Sequence, residues 1–216
     1  ILPGNLLCMR CHDGSFKGAP IINPAAHSHH LVFSYGTNGV VTNLNRAISQ
    51  TATIKETGGE CVNCHMPETV YMQRHWRRDH GFTIPDPLLT KQFNIPNACN
   101  RCHTDKDADW ALHYVNLWYG QKMNRSTRTR AQIIARARDG DDSARDDLLR
   151  LLQTEKIPYW RASEASWLEK WIGETNVTAA LIQKLNDTNA MVRSACVRAL
   201  EPLVGDETVS IAIQKK

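Results

Sequence analysis

Six of the seven cysteines fall in pairs, each pair spaced by two residues and followed at once by a histidine: "CMRCH" at 8–12, "CVNCH" at 61–65 and "CNRCH" at 99–103. Two thiols three residues apart lie on one side of a helical turn, where each can add to a vinyl group of a haem. The next residue then aims its imidazole at the iron from the same side. The spacing therefore predicts three covalently attached haems c. Cys8, Cys11 and His12 hold the first, Cys61, Cys64 and His65 the second, and Cys99, Cys102 and His103 the third. Seven cysteines and nine histidines in 216 residues would yield on the order of 0.01 copies of C-x-x-C-H by chance, so three are not accidental. Other cysteine chemistries fit less well. Zinc ribbons do not need a histidine after each pair. Redox dithiols sit on a βαβ unit, and none is visible. A disulfide across three residues is strained. Cys196 stands alone in an apolar helical pattern and reads as a buried core thiol.

Six histidines remain for the opposite faces of the irons: His27, His29, His30, His75, His80 and His113. The stretch "AAHSHHLVF" puts three imidazoles within four residues, so at least one is expected to ligate iron. In "RRDHGF", Asp79 precedes His80 and can orient its ring or bond the backbone, which makes His80 a second expected ligand. His75 reads as a haem-edge or surface residue, and His113, inside "DWALHYVNLW", as a packed or surface one. Met66 follows its own proximal His65 and cannot swing to the other face. Met72 can reach but reads as packing. Histidine on both faces gives lower potentials than histidine with methionine.

The stretches "CVNCHMPETVYM", "RRDHGFTIPDP" and "IPNACNRCHTDKDADWA" resemble the multihaem cytochromes related to the cytochrome c554 family, closely over about 58–112 and more loosely over 1–35. The resemblance implies a haem domain followed by a helical repeat region. It also implies that the histidine of a D-H-x-F stretch is a distal ligand, here His80, as is a histidine pair between the first two motifs, here His27 with His30. His29 is a rival within the same cluster. Residues 35–60 form a longer connection than the family pattern has.

The elements that must position these groups divide the chain in two. Residues 1–104 read as loops and short helices packed on haem, with Pro85, Pro87 and Pro96 punctuating an extended crossing. Residues 36–60 alternate weakly, compatible with a small β-hairpin or a surface loop. From 105 to 216 the pattern is helical. Thr104 and Asp107 suit a helix start and Gly120 its end. Further helices are expected over 126–138, 142–153, 158–172, 176–185 and 189–203. "YWRASEASWL" (159–168) aligns with "MVRSACVRAL" (191–200), Arg161 on Arg193, and "LNDTNAMVRSACVRAL" resembles a HEAT-type repeat. The fold class expected is therefore mostly α: a loop-rich multihaem domain, 1–104, and a HEAT-like α-solenoid, 105–216, incomplete at its C-terminus. "DETVSIAIQKK" opens another first helix, so the natural chain is expected to continue past Lys216.

Composition narrows the function. The formal charge is +4, with basic and acidic residues interspersed, so no nucleic-acid stripe is formed. No apolar run approaches the ~20 residues of a membrane span. The start, "ILPGNLLCMRCH", is not an intact secretory signal. Thioether attachment occurs outside the cytoplasmic membrane, so a periplasmic or extracellular location is expected. The function expected is electron transfer through closely spaced haems with histidine on both faces. The partners are other redox proteins or cytochrome subunits, and the helical repeats serve docking or assembly. The alternatives are an oxidoreductase of nitrite or hydroxylamine type with one open iron, and an electron-conducting subunit of a larger assembly.

Overall fold

A computed structural model describes residues 4–30, 33–35, 41–43 and 58–215. Helix accounts for 62% of it, so the chain is mostly α. It separates into two compact units, Ile1–Met123 and Asn124–Lys216.

The first unit contains short elements with local signals for each. α1 (Leu6–His12), α3 (Cys61–His65) and α5 (Cys99–Cys102) carry the three C-x-x-C-H motifs, and none of them buries a residue. α2 (Pro24–Ser28) starts with proline at its first position and the Asn23 side chain accepting from the Ala26 N–H. It ends at His29, in the left-handed region with φ 56°. Strands β1 (Phe33–Tyr35) and β2 (Val41–Asn43) pair antiparallel, and the rest of the expected hairpin-or-loop region lies outside the described residues. β3 (Glu68–Tyr71) and β4 (His75–Arg78) form a second hairpin, with Tyr71 opposite His75 and Glu68 opposite Arg78. Arg78 folds back to donate to the Val62 and Met66 carbonyls, which ties the hairpin to the second motif. α4 (Pro87–Phe93) is capped by Asp86, and α6 (Ala108–Tyr119) by Asp107, whose carboxylate accepts from the Trp110 N–H at 2.8 Å.

The units divide at Met123/Asn124, whereas the sequence places a boundary at 104/105. The reason is α6. It packs on α4, the Lys91 ammonium meets Asp109 at 2.5 Å, and Asn100 beside the third motif donates to the carbonyls of Lys106 and Asp107.

The second unit is built from helices alone: α7 (Ser126–Arg138), α8 (Ser143–Thr154), α9 (Pro158–Leu168), α10 (Thr175–Lys184), α11 (Ala190–Leu200) and α12 (Glu207–Gln214), with short 3₁₀ turns after α9 and α11. α9 packs most extensively on α11. Ala162, Ala165 and Leu168 of the first and Val192, Ala195, Cys196, Ala199 and Leu200 of the second are buried there, small residues alternating with large ones. Cys196 is fully buried, as its apolar surroundings in the sequence imply, and burial pushes its thiol up to about 12. The 32-residue spacing is visible in the elements. α8, α10 and α12 begin at 143, 175 and 207, and α9 and α11 at 158 and 190. It is visible in contacts too. Arg161 donates to the carbonyls of Glu155 and Lys156, six and five residues before it, and Arg193 does the same to Asp187 and Thr188. Arg161 also forks onto Asp187, with both N···O distances 3.0 Å.

Candidate haem-binding site

The three motifs are gathered close together. Asn5, buried just ahead of α1, donates from its amide to the Gly59 carbonyl at 2.8 Å and accepts from the Cys61 N–H at 2.7 Å. The first motif is thereby clipped to the start of the second. The Cys61 thiol is pushed up to about 12 by burial first and then by the neighbouring Cys8 thiol. Cys64 is pushed up to about 11 by burial, then by Cys99 and Cys102. Cys61 of the second motif thus has Cys8 of the first as a neighbour, and Cys64 has Cys99 and Cys102 of the third.

Four of the imidazoles have one ring nitrogen fixed by a backbone carbonyl. His12 Nδ1 lies 2.9 Å from the Pro20 carbonyl and His65 Nδ1 2.8 Å from that of Thr83. A carbonyl only accepts, so each Nδ1 carries the proton and each Nε2 keeps its lone pair for a metal. Two of the distal candidates are held the same way: His30 Nδ1 by the Ser28 carbonyl at 2.5 Å and His80 Nδ1 by the Arg78 carbonyl at 2.9 Å. Asp79 accepts from the Gly81 N–H, so it shapes the turn on which His80 stands.

The cluster between the first two motifs reaches two different proximal histidines. The His27 and His65 rings have centroids 6.1 Å apart with planes 17° from parallel, and those of His30 and His103 are 6.0 Å apart. Face-to-face contact is closer, as between His29 and the Trp118 indole at 4.2 Å and 11°. With metal–nitrogen bonds of about 2 Å and about 1.2 Å from ring nitrogen to centroid, two imidazoles sharing one metal have centroids about 6.4 Å apart. Both histidine pairs have that separation. Among the described residues no ring contact joins His12 to another histidine, and none joins His80 to His12, His65 or His103. His75 is at the hairpin tip and His113 stands edge-on to Tyr114 at 5.2 Å.

Haem fits this unit. Of the 22 buried hydrophobic residues among those described, 19 lie in Asn124–Lys216, and Ala111, Val115 and Met123 lie in the first unit. There Leu7, Phe16, Ile21, Trp76 and Phe82 are each more than half exposed. Apolar side chains that do not close on one another present the surface a macrocycle covers. Among the described residues no group of three or more His, Cys, Asp or Glu converges as for a bare metal ion.

Several positioning residues carry no signal that the motifs reveal. Asn5 is one, since nothing local marks an asparagine ahead of a helix as a clip to residues 59–61. Gly58 is another. A Cβ there would lie 2.3 Å from the His30 ring. The aromatic face of α6 is more legible. Trp110, Tyr114 and Trp118 recur every four residues, with rings 4.9 and 5.3 Å apart, and Trp110 lies 4.7 Å from His103.

Paired thiols followed by an imidazole, on one-turn helices in a unit with little core of its own, define a c-type cytochrome. Residues 48–162, 115 of the 216, match the cytochrome c552 family, and the chain belongs to that family. Membership implies covalently attached haem c and places the chain among electron-transfer or nitrite-reductase-like cytochromes. Members are typically exported to the periplasm, and no helix among the described residues is long and apolar enough to cross a membrane. No curated protein and no solved structure matches the chain.

Proposed function

We propose that the chain carries electrons along three haems c, held by Cys8, Cys11 and His12, by Cys61, Cys64 and His65, and by Cys99, Cys102 and His103. The observation that carries this reading is the approach of His27 to His65 and of His30 to His103 at the spacing of two imidazoles on one metal. Those two irons then have histidine on both faces and no open position, which suits electron transfer at low potential and leaves no room for substrate. His80, with its Nε2 free, is assigned to the iron of His12. Haem c supplies reversible one-electron exchange, and the protein supplies anchoring, ligation and spacing. The mutual influence of the Cys8 and Cys61 thiols, and of Cys64 with Cys99, supports reading the second haem as the middle one of the three.

The motif order resembles the cytochromes related to cytochrome c554. The 32-residue period of α8 to α12, with Arg161 and Arg193 in equivalent contacts, supports reading 124–216 as HEAT-like repeats. These repeats would dock a redox partner or a further cytochrome subunit, outside the cytoplasmic membrane.

A second reading is favoured by one observation: no histidine ring meets His12 among the described residues. An iron left open there would suit chemistry of nitrite or hydroxylamine type. Carbon monoxide titration of the reduced, haem-loaded protein decides. Electron transfer predicts no binding by the parent protein and a gain of about one equivalent for each of His27→Ala, His30→Ala and His80→Ala. Binding of about one equivalent by the parent, unchanged by His80→Ala, favours the second reading.

A further inference from the structure

The sequence H27-S28-H29-H30 offers three imidazoles within one turn, and something must decide which of them face the proximal histidines. α2 ends at His29 in a left-handed conformation, a kink that breaks helical periodicity and turns His27 and His30 apart. The left-handed region costs a non-glycine residue of order 1–3 kcal/mol and persists only where surroundings hold it. What holds it comes from the far end of the haem unit, at the last turn of α6. The Trp118 indole lies flat on His29 at 4.2 Å and meets His30 edge-on at 6.5 Å. Tyr119 meets the same cluster. Its hydroxyl donates to the His27 carbonyl, and its ring lies 5.6 Å from His27 and 6.3 Å from His29.

We infer that Trp118 and Tyr119 form an aromatic clamp that selects the distal ligands: stacking removes His29 from the competition and fixes the turn so that His27 and His30 address two different irons. Trp118 and Tyr119 are positioning residues, since each acts through the histidines it touches. The clamp explains why the last turn of α6 belongs with the haem unit although it carries no attachment motif. It also makes one element responsible for two axial bonds at once. A change at Trp118 should therefore disturb the irons of His65 and His103 together, while that of His12 is spared.

This inference rests on the axial pairs proposed above, and the test separates the two. The haem-loaded full chain is compared with Trp118→Leu, Trp118→Phe, Tyr119→Phe and Leu117→Ala. Leu117 is 68% exposed on the same helix and serves as the control. The readouts are ferric electron paramagnetic resonance and carbon monoxide bound on reduction, with three thioether-linked haems confirmed in each variant by mass. Trp118→Leu is expected to gain high-spin ferric signal and about one to two equivalents of carbon monoxide over the parent. Trp118→Phe keeps a flat ring and should restore most of the parent spectrum, and Leu117→Ala should match it. Tyr119→Phe, which removes only the hydroxyl, should loosen the iron of His65 alone and carries the test if Trp118→Leu does not accumulate. Parent-like spectra for both Trp118→Leu and Tyr119→Phe overturn the clamp while leaving the axial pairs standing. If instead the parent already shows high-spin iron at the second and third haems, the axial pairs themselves fail.

Discussion

Alanine in place of Gly58 should cost the third haem its distal ligand. A Cβ added at Gly58 lies 2.3 Å from Cδ2, 2.5 Å from Cγ and 2.7 Å from Nε2 of His30. Carbon atoms settle at about 3.5–4.0 Å, so the ring must retreat by more than about 1 Å. Metal–ligand distances hold to about 0.2 Å, so such a shift is about five times what the bond tolerates. Gly58 lies outside the left-handed region, so alanine brings no backbone strain and the effect is steric alone. Gly58→Ala should therefore turn the iron of His103 high-spin and add about one equivalent of carbon monoxide binding on reduction, with the iron of His65 unchanged. Gly173→Ala is the control, because a Cβ there meets nothing within 4 Å. The assay is ferric electron paramagnetic resonance with a carbon monoxide titration of the purified, haem-loaded protein. A Gly58→Ala protein that remains entirely low-spin would refute the placement of His30.

Two further predictions concern the helical unit. Glu164 is fully buried, neither oxygen accepts a hydrogen bond, and its nearest counter-charge is Arg130 Nε at 3.9 Å. Burial first, then the neighbouring Glu155, raises it from 4.5 to about 7. A carboxyl whose pKa is higher folded than unfolded binds more protons when folded, so stability is greatest below about 4.5 and falls as pH rises through 7, by at most on the order of 3 kcal/mol. Glu164→Gln should flatten that slope in thermal or urea melts between pH 4.5 and 7.5, and an unchanged slope would contradict it. Arg161→Ala should lower stability by on the order of 3 kcal/mol in urea melts, because it strands the buried Asp187 carboxylate and frees the carbonyls of Glu155 and Lys156. A loss under about 0.5 kcal/mol, the size of a surface change, would show that the fork contributes nothing.

The helical half was largely legible because its signals are local. Gly120 ends α6 as expected, although Asp107 rather than Thr104 caps its start, Arg161 and Arg193 repeat at 32 residues, and the buried faces follow the apolar period. Membership of a c-type cytochrome family was legible because haem attachment demands the C-x-x-C-H spacing. Two things were not. The place of α6 was one: it looks like the first helix of the helical half, and its packing on α4 and the hydrogen bonds of Asn100 tie it to the first unit. The arrangement around the distal histidines was also hidden. His27, His29 and His30 are equivalent by composition. Contacts from Trp118 and Tyr119, about ninety residues away in the chain, and from Gly58 separate them. Such long-range contacts leave no periodicity to read.

The central claim is three covalent haems c on this chain, and intact mass under denaturing conditions tests it most directly. Protein matured with the haem-attachment machinery should weigh about 1.8 kDa more than the bare chain and keep its haem absorption after unfolding, because thioethers survive denaturation. Replacing both cysteines of any one pair by alanine should remove about a third of that increment. A mass equal to the bare chain, or an increment that stays at one or two haems with all three motifs intact, would contradict it.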